Sequence, residues 1–195
     1  ARKEHLPVFE RLFEKNDFQI ATPSQFTYDL WQSRFPVQVK ATVIPPAKLW
    51  WNLNSTNRYS GGVLRVAFPG YPLDYKGWPV WLRVSEALHE NKDFKFFHFS
   101  NRQGEEGYYK RIDVTVTKEY RNAMIDSLKW NQMDVALLWS TVAETFSFTL
   151  YEALAAGCFI LTNPKSGNIQ DYIKRNPKRG MIFEDEDALL EAFES

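Results

Sequence analysis

"DVALLWSTVAETFSFTLYEALAAGCFILTN", residues 134–163, carries three patterns in succession. From Asp134 to Ser140 the apolar residues are consecutive rather than alternating, which suits a strand buried on both faces. From Ser147 to Ala156 the pattern is that of a short apolar helix. Ser147 or Thr149 can cap its start and Gly157 is a good residue just past its end. Cys158 to Asn163 is a second apolar run. Strand, short helix and strand joined by brief connections make a parallel pair with a crossover helix.

The same alternation extends in both directions. Further strand candidates are "VLRVAFPG" (63–70), "FKFFHFS" (94–100), "DVTVT" (113–117) and "GMIFE" (180–184). Helical patterns lie between them. In "GWPVWLRVSEALHE" the residues Val80, Trp81, Val84, Ala87 and Leu88 fall on one face, with Pro79 near the start. "EYRNAMIDSLKW", "NIQDYIKRN" and "EDALLEAFES" are the others. Regular βα alternation implies an α/β fold, a Rossmann-like, doubly wound parallel sheet.

Residues 1–51 differ. "ARKEHLPVFERLFEKN" opens on an amphipathic helical pattern. "FQIATPSQFTYDLWQSRF" reads as a short strand, a Ser24 cap and a helix, and "ATVIPPAKLWW" as a strand ended by Pro45-Pro46. "NLNSTNRYSGG" (52–62) is polar and turn-rich, a linker signal. The expected organisation is a small N-terminal βα piece over 1–51, a linker over 52–62 and one α/β domain over 63–195. The chain starts without Met, which suits a piece cut from something longer.

Composition narrows the function classes. Lys+Arg and Asp+Glu both number 24, so the formal net charge is zero and a broadly basic nucleic-acid surface is not expected. One cysteine, Cys158, cannot build a disulfide framework or a CxxC metal site, and a reducing compartment fits it. It reads as a small buried hydrophobe. No apolar run approaches the ~18–20 residues that span a bilayer. The three histidines show no metal-ligand spacing, and His98 reads as a strand residue with a partner. Asp185 and Asp187 in "FEDED" are better explained as acids opening a last helix than as a metal-binding pair.

In open parallel sheets, ligands bind beyond the C-terminal ends of strands. After the first strand of the domain comes "PGYPLDYKGW", with Lys76 just before a helix. A helix N-terminus and a lysine together favour phosphate, yet the loop matches neither the Walker A pattern nor GxGxxG. After "DVALLWS", Glu144 belongs to the loop and Glu152 to the following helix. Two accounts stand for each acid. Glu144 is either a loop charge or a ligand contact. Glu152 either closes a capping box with Thr149 or accepts hydrogen bonds from ligand hydroxyls.

"PLDYKGW", "DVALLWSTVAETFSFTLYEALAAGCFILTN", "SGNIQDYI" and "KRGMIFEDEDALLEAF" together resemble the C-terminal, donor-binding half of GT-B-fold glycosyltransferases of the retaining group 1 type. The resemblance covers about residues 63–195, and Glu144 and Glu152 match its E-x7-E pattern. It implies that residues 1–51 end an acceptor domain and cross over from it. It implies sugar transfer from a nucleotide-diphosphate sugar, with retention and without a metal or other cofactor. Lys76 would contact the diphosphate near Gly70, and Glu144 would hold a sugar hydroxyl. Backbone N–H groups around Ser147, Phe148, Thr149 and Leu150 would bind phosphate and sugar oxygens. Glu152 would hold the ribose, and the strand end near Thr117 would face the base. Two departures stand out. Gly70 replaces the usual Arg, and Ser147 replaces a usual Gly. The acceptor, whether glycan, lipid-linked or small molecule, stays open. The location implied is cytoplasmic, peripheral on the inner membrane face if the missing half provides the attachment. A non-catalytic GT-B-like binding module is the alternative, and Gly70 motivates it. An epimerase or phosphorylase on the same fold would need cleft residues or length that this half lacks.

Overall fold

The computed structural model describes residues 2–15, 19–34, 40–46, 52–53 and 61–194. The chain divides into two compact units, residues 1–48 and 49–195. The crossover residues 47–51 and linker residues 54–60 lie outside the described residues.

The first unit contains α1 (Arg2–Lys15), β1 (Gln19–Thr22), α2 (Gln25–Arg34) and β2 (Lys40–Val43). β1 and β2 pair in parallel, Gln19 opposite Lys40 to Thr22 opposite Val43. Ser24 starts α2 as expected. Its Oγ accepts the Thr27 N–H at 3.2 Å, which satisfies one of the first-turn donors. The rings of Phe13 and Trp31 meet in a T-shaped contact with centroids 5.7 Å apart.

The second unit is built on a six-stranded sheet. Its elements are β3 (Leu64–Pro69), α3 (Trp78–Ala87), β4 (Phe94–Phe99), β5 (Lys110–Ile112), α4 (Ala123–Trp130), β6 (Val135–Leu137), α5 (Phe148–Ala156), β7 (Phe159–Thr162), α6 (Asn168–Arg175), β8 (Gly180–Ile182) and α7 (Glu186–Glu194). The strand order is β5-β4-β3-β6-β7-β8 and every pairing is parallel. The chain steps outward from β3 to β4 and β5, then crosses back and steps the other way from β6 to β8. The direction of winding therefore reverses between β3 and β6.

Consecutive apolar residues in the strands serve opposite faces. Val66 and Phe68 pack with α3 and α7, while Ala67 packs with α4, α5 and α6. Val135 and Leu137 join the first cluster, and Ala136 and Leu138 the second. The runs in the sequence are thus two interleaved cores and not one broad hydrophobic segment. Arg83 of α3 bridges to Glu186 at 3.0 Å and Asp187 at 2.6 Å, where α7 begins. Asp185 caps that helix, accepting the Ala188 N–H at 2.9 Å. The acids of "FEDED" are helix-opening residues, as expected. Cys158 is buried, and desolvation pushes its thiol up to about 12, so it stays an inert hydrophobe.

One strand lies elsewhere than expected. The ladder beside β4 is Lys110–Ile112, and "DVTVT" (113–117) continues past it without pairing. The last rung is the Ser100 N–H to the Ile112 carbonyl at 3.1 Å. β4 ends there, so the following residues have no partner backbone to join. Val114 turns into the core and Val116 is half exposed. A short basic edge strand also resists further pairing.

The layering predicts a sharp contrast. Leu154→Ala, in the fully buried face of α5, should destabilise by about 2–5 kcal/mol in urea denaturation. Trp130→Ser, at an 80% exposed position, should stay within about 0.5 kcal/mol of wild type. Equal losses at both positions would contradict this packing.

Candidate functional site

Where the winding reverses, the loops after β3 and β6 separate and leave a crevice at the C-terminal strand ends. A cavity of about 310 Å³ occupies it. Its walls include Gly70, Tyr71, Lys76, Glu144, Thr149 and Glu152. The floor is apolar, with Phe99, Val114, Met124 and Ile169 among its residues.

Two backbone clamps set the walls. The β3 loop forms a single 3-10 turn over Asp74–Lys76, closed by Gly77 at φ 88°. A Cβ on Gly77 would press into Trp139, 2.6 Å from its Cβ. The Tyr75 carbonyl accepts the Thr141 N–H at 2.9 Å. The turn carrying Lys76 is thereby sewn to the β6 loop. On the other side, Glu144 forms an isolated parallel bridge with Gly167. The Glu144 carbonyl accepts the Asn168 N–H at 2.8 Å. Gly167 has φ 66°, and a Cβ there would lie 2.6 Å from both the Glu144 nitrogen and its carbonyl oxygen. Only a residue without a side chain fits so close an approach.

The clamps bring two expected site residues together. Lys76 Nζ donates to Glu144 Oε1 at 2.8 Å. The Glu144 side chain is 10% exposed and that of Lys76 35%, so the carboxylate end of the pair is shielded while the ammonium reaches solvent.

Glu152 is the unusual group. It projects from the second turn of α5, is 8% exposed and lines the cavity. No side chain or backbone group among the described residues hydrogen-bonds its carboxyl. Desolvation pushes it up to about 7 from an ordinary 4.5. The capping-box account does not hold, because Ser147 is the cap. Its Oγ accepts the Leu150 N–H at 3.4 Å, and Glu152 lies two residues beyond the position from which a capping box closes.

The remaining expected residues sort themselves. Ser147 is buried and its N–H goes to Asn168 Oδ1 at 3.2 Å. With Leu150 also bonded to Ser147, the N–H groups of Phe148 and Thr149 are left pointing from the N-terminus of α5. Gly70 lines the cavity with φ 119°. Its carbonyl accepts from His98 Nε2 at 3.0 Å. Burial lowers the His98 pKa and keeps the ring neutral, as a core residue with a partner. A Cβ on Gly70 would have room, 3.6 Å from Thr149 Cγ2, but that φ disfavours any side chain. Thr117 does not line the cavity. It makes a turn, its Oγ1 accepting the Tyr120 N–H at 3.0 Å, because β5 ended five residues earlier. Val114 and Val116 stand at the wall instead. Tyr71, Tyr75, Ser100 and Asn101 line it too and were not expected. Tyr71, Ser100 and Asn101 stand within two residues of strand ends, and that rule could have found them; Tyr75 belongs to the turn that carries Lys76.

Among the described residues no group of three or more His, Cys, Asp or Glu is placed to hold a metal ion, and no helix is long and apolar enough to cross a membrane.

Comparison with known proteins places this fold. No family model and no curated protein matches the sequence. Solved structures do match. The pneumococcal O-GlcNAc transferase GtfA in complex with UDP and GlcNAc superposes with TM-score 0.64 and 17% identity, over 94% of this chain and 38% of that one. Anabaena Alr3699/HepE in complex with UDP and glucose gives 0.63 and 14%, over 98% and 56%. A glycosyltransferase from Rickettsia africae gives 0.68 and 13%, over 98% and 56%. The chain therefore spans between 38% and 56% of the length of these neighbours. Its fold is that of GT-B glycosyltransferases, with the Rossmann-like half that the parallel sheet represents.

The unpartnered Glu152 predicts a stability signature. Its folded pKa lies above the unfolded value, so the folded state holds the proton more tightly. Stability is fully present below about 4.5 and is lost as pH rises through about 7. Glu152→Gln should remove that slope and raise stability above neutrality by on the order of 3 kcal/mol. Thermal melts between pH 4.5 and 8 check this; parallel curves for both proteins would refute it.

Proposed function

We propose that residues 63–195 are the donor-binding half of a glycosyltransferase. It would take a nucleotide-diphosphate sugar as donor and transfer the sugar to an acceptor hydroxyl with retention. The observation that carries this reading is Glu152, a carboxyl held in an apolar wall without a protein partner and open to the cavity. Burial of such a group costs free energy unless a ligand supplies its hydrogen bonds. A vicinal diol, such as that of a ribose, supplies two donors to one carboxylate.

The other residues fit the same ligand. The N–H groups of Phe148 and Thr149, at the positive end of α5, face an anion. Lys76 adds a charge that offsets the negative charge growing on the diphosphate as the bond to the sugar breaks. Glu144, beside Lys76, accepts from a sugar hydroxyl. In this proposal the charge is carried by Lys76 and the helix terminus, without a metal ion or other cofactor. The apolar floor toward Val114 and Val116 receives the base. Two of the structural neighbours hold UDP together with a sugar, which supports the choice of ligand class.

Residues 1–51 are assigned to the end of an acceptor domain and the crossover, and 52–62 to the linker. The acceptor, glycan, lipid-linked or small molecule, would be met by the part of the neighbours' architecture that this chain does not span. Any attachment to a cytoplasmic membrane face would come from there also. A second reading, a non-catalytic GT-B-like nucleotide- or sugar-binding or interaction module, is favoured by Gly70, which puts no cation where the resembling family has one.

Calorimetric titration with UDP, GDP, ADP and their sugars decides between them. One nucleotide should bind. Glu152→Ala should weaken it by on the order of 1.5–3 kcal/mol, roughly tenfold or more. No binding of any nucleotide or nucleotide sugar at millimolar concentration would sink the donor reading and favour a module of interaction only.

Lys76→Ala should weaken the nucleoside diphosphate far more than the bare nucleoside; equal losses would remove Lys76 from the phosphate site. The ionised carboxylate is the form that accepts two hydroxyls, so affinity should fall as pH drops below about 7. A flat profile from pH 8 to 6 would argue against Glu152 as the diol acceptor.

A further inference from the structure

The cavity's fixed charges do not suit a polyanion as they stand. Lys76 is the basic side chain in its wall, and Glu144 already neutralises it at 2.8 Å. Glu152 brings another carboxyl, and Gly70 brings no charge. The N–H groups at the start of α5 supply partial positive charge, and a further cation would add to them for a diphosphate entering here.

The loop after β4 offers one. The Arg102 guanidinium lies over the ring of Tyr71, 4.0 Å from its centroid. Tyr71 is itself part of the cavity wall. The loop is pinned at its root, where the Arg102 N–H donates to Ser100 Oγ at 3.0 Å and Ser100 is 2% exposed. It is pinned again two residues on, where Gly104 packs so close to the Trp78 ring that a Cβ would collide with it. Ser100 and Asn101 line the cavity between those points and the strand end. No carboxylate pairs with Arg102 among the described residues. A guanidinium stacked on an aromatic face keeps its in-plane N–H donors for an oxyanion, in the forked geometry that phosphate oxygens match.

We propose that Arg102, held by stacking on Tyr71, is the second cation of the phosphate site and binds the nucleoside diphosphate group. It takes the role that position 70, with no side chain, cannot fill. This rests on the donor reading above and adds to it that the cation comes from the β4 loop.

The test uses whichever of UDP, GDP or ADP the wild-type chain binds, together with the matching nucleoside. Arg102→Gln should weaken the diphosphate about tenfold and leave the nucleoside within about twofold. Arg102→Lys should recover part of the loss, and the thermal melt of Arg102→Gln should match wild type. Unchanged diphosphate affinity in Arg102→Gln overturns the proposal while the donor reading stands. An equal loss for the nucleoside overturns it as well, since the contact would then be to the base or ribose. If the wild-type chain binds no nucleoside diphosphate, the donor reading fails and this inference with it.

Discussion

The site depends on one steric constraint, the direct backbone contact between Gly167 and Glu144. With a side chain at 167, the β6 loop could not lie against the start of α6. Glu144 would then lose its fixed position, and Asn168 could no longer reach the Ser147 N–H. The matching constraint at Gly77 fixes the Lys76 turn against Trp139. Both clamps act through main chain. Main-chain contacts have fewer ways to relax than side-chain contacts, so the carboxylate and the ammonium are delivered to one point with little freedom. The sheet supplies the crevice, and the two glycines make its rim a defined shape.

Glu152 shows the opposite kind of choice. The wall around it is built from residues that favour an apolar neighbour, and a carboxyl in that place costs stability. A chain selected for folding alone would carry an apolar or amide side chain here. Conflict between local environment and residue type is the expected mark of a functional position. Lys76 and Glu144, by contrast, satisfy each other and taken alone would pass for a structural ion pair. The acid without a partner is therefore a stronger sign of a ligand site than the acid with one.

Much of this was legible in the sequence. Val135–Leu137, Phe159–Thr162 and the strands over 64–69 and 94–99 announced themselves as apolar runs, and Gly157 and Ser24 marked helix ends through local chemistry. β5 was not legible. Lys110–Ile112 has one apolar residue, Ile112, and no alternation, while Val114 and Val116 a few residues on imitate a strand. Where pairing stops was set by the end of β4, a fact of tertiary structure. The same limit applied within the site. Glu144 and Glu152 could be picked out by spacing, but nothing local told that the Ser147 N–H is taken by a side chain 21 residues away. Nor could spacing tell that Glu152 stands too far along α5 to close a capping box.

The Lys76–Glu144 pair means that the mouth of the cavity is already content when empty. On the donor reading the pair bears on selectivity. A free phosphate or a free sugar alone would meet one half of the pair and compete with the other half for it. A molecule that brings an anion to Lys76 and a hydroxyl to Glu144 at once would meet both groups together. On that reading the pair would favour ligands that carry both groups on one frame over either group alone.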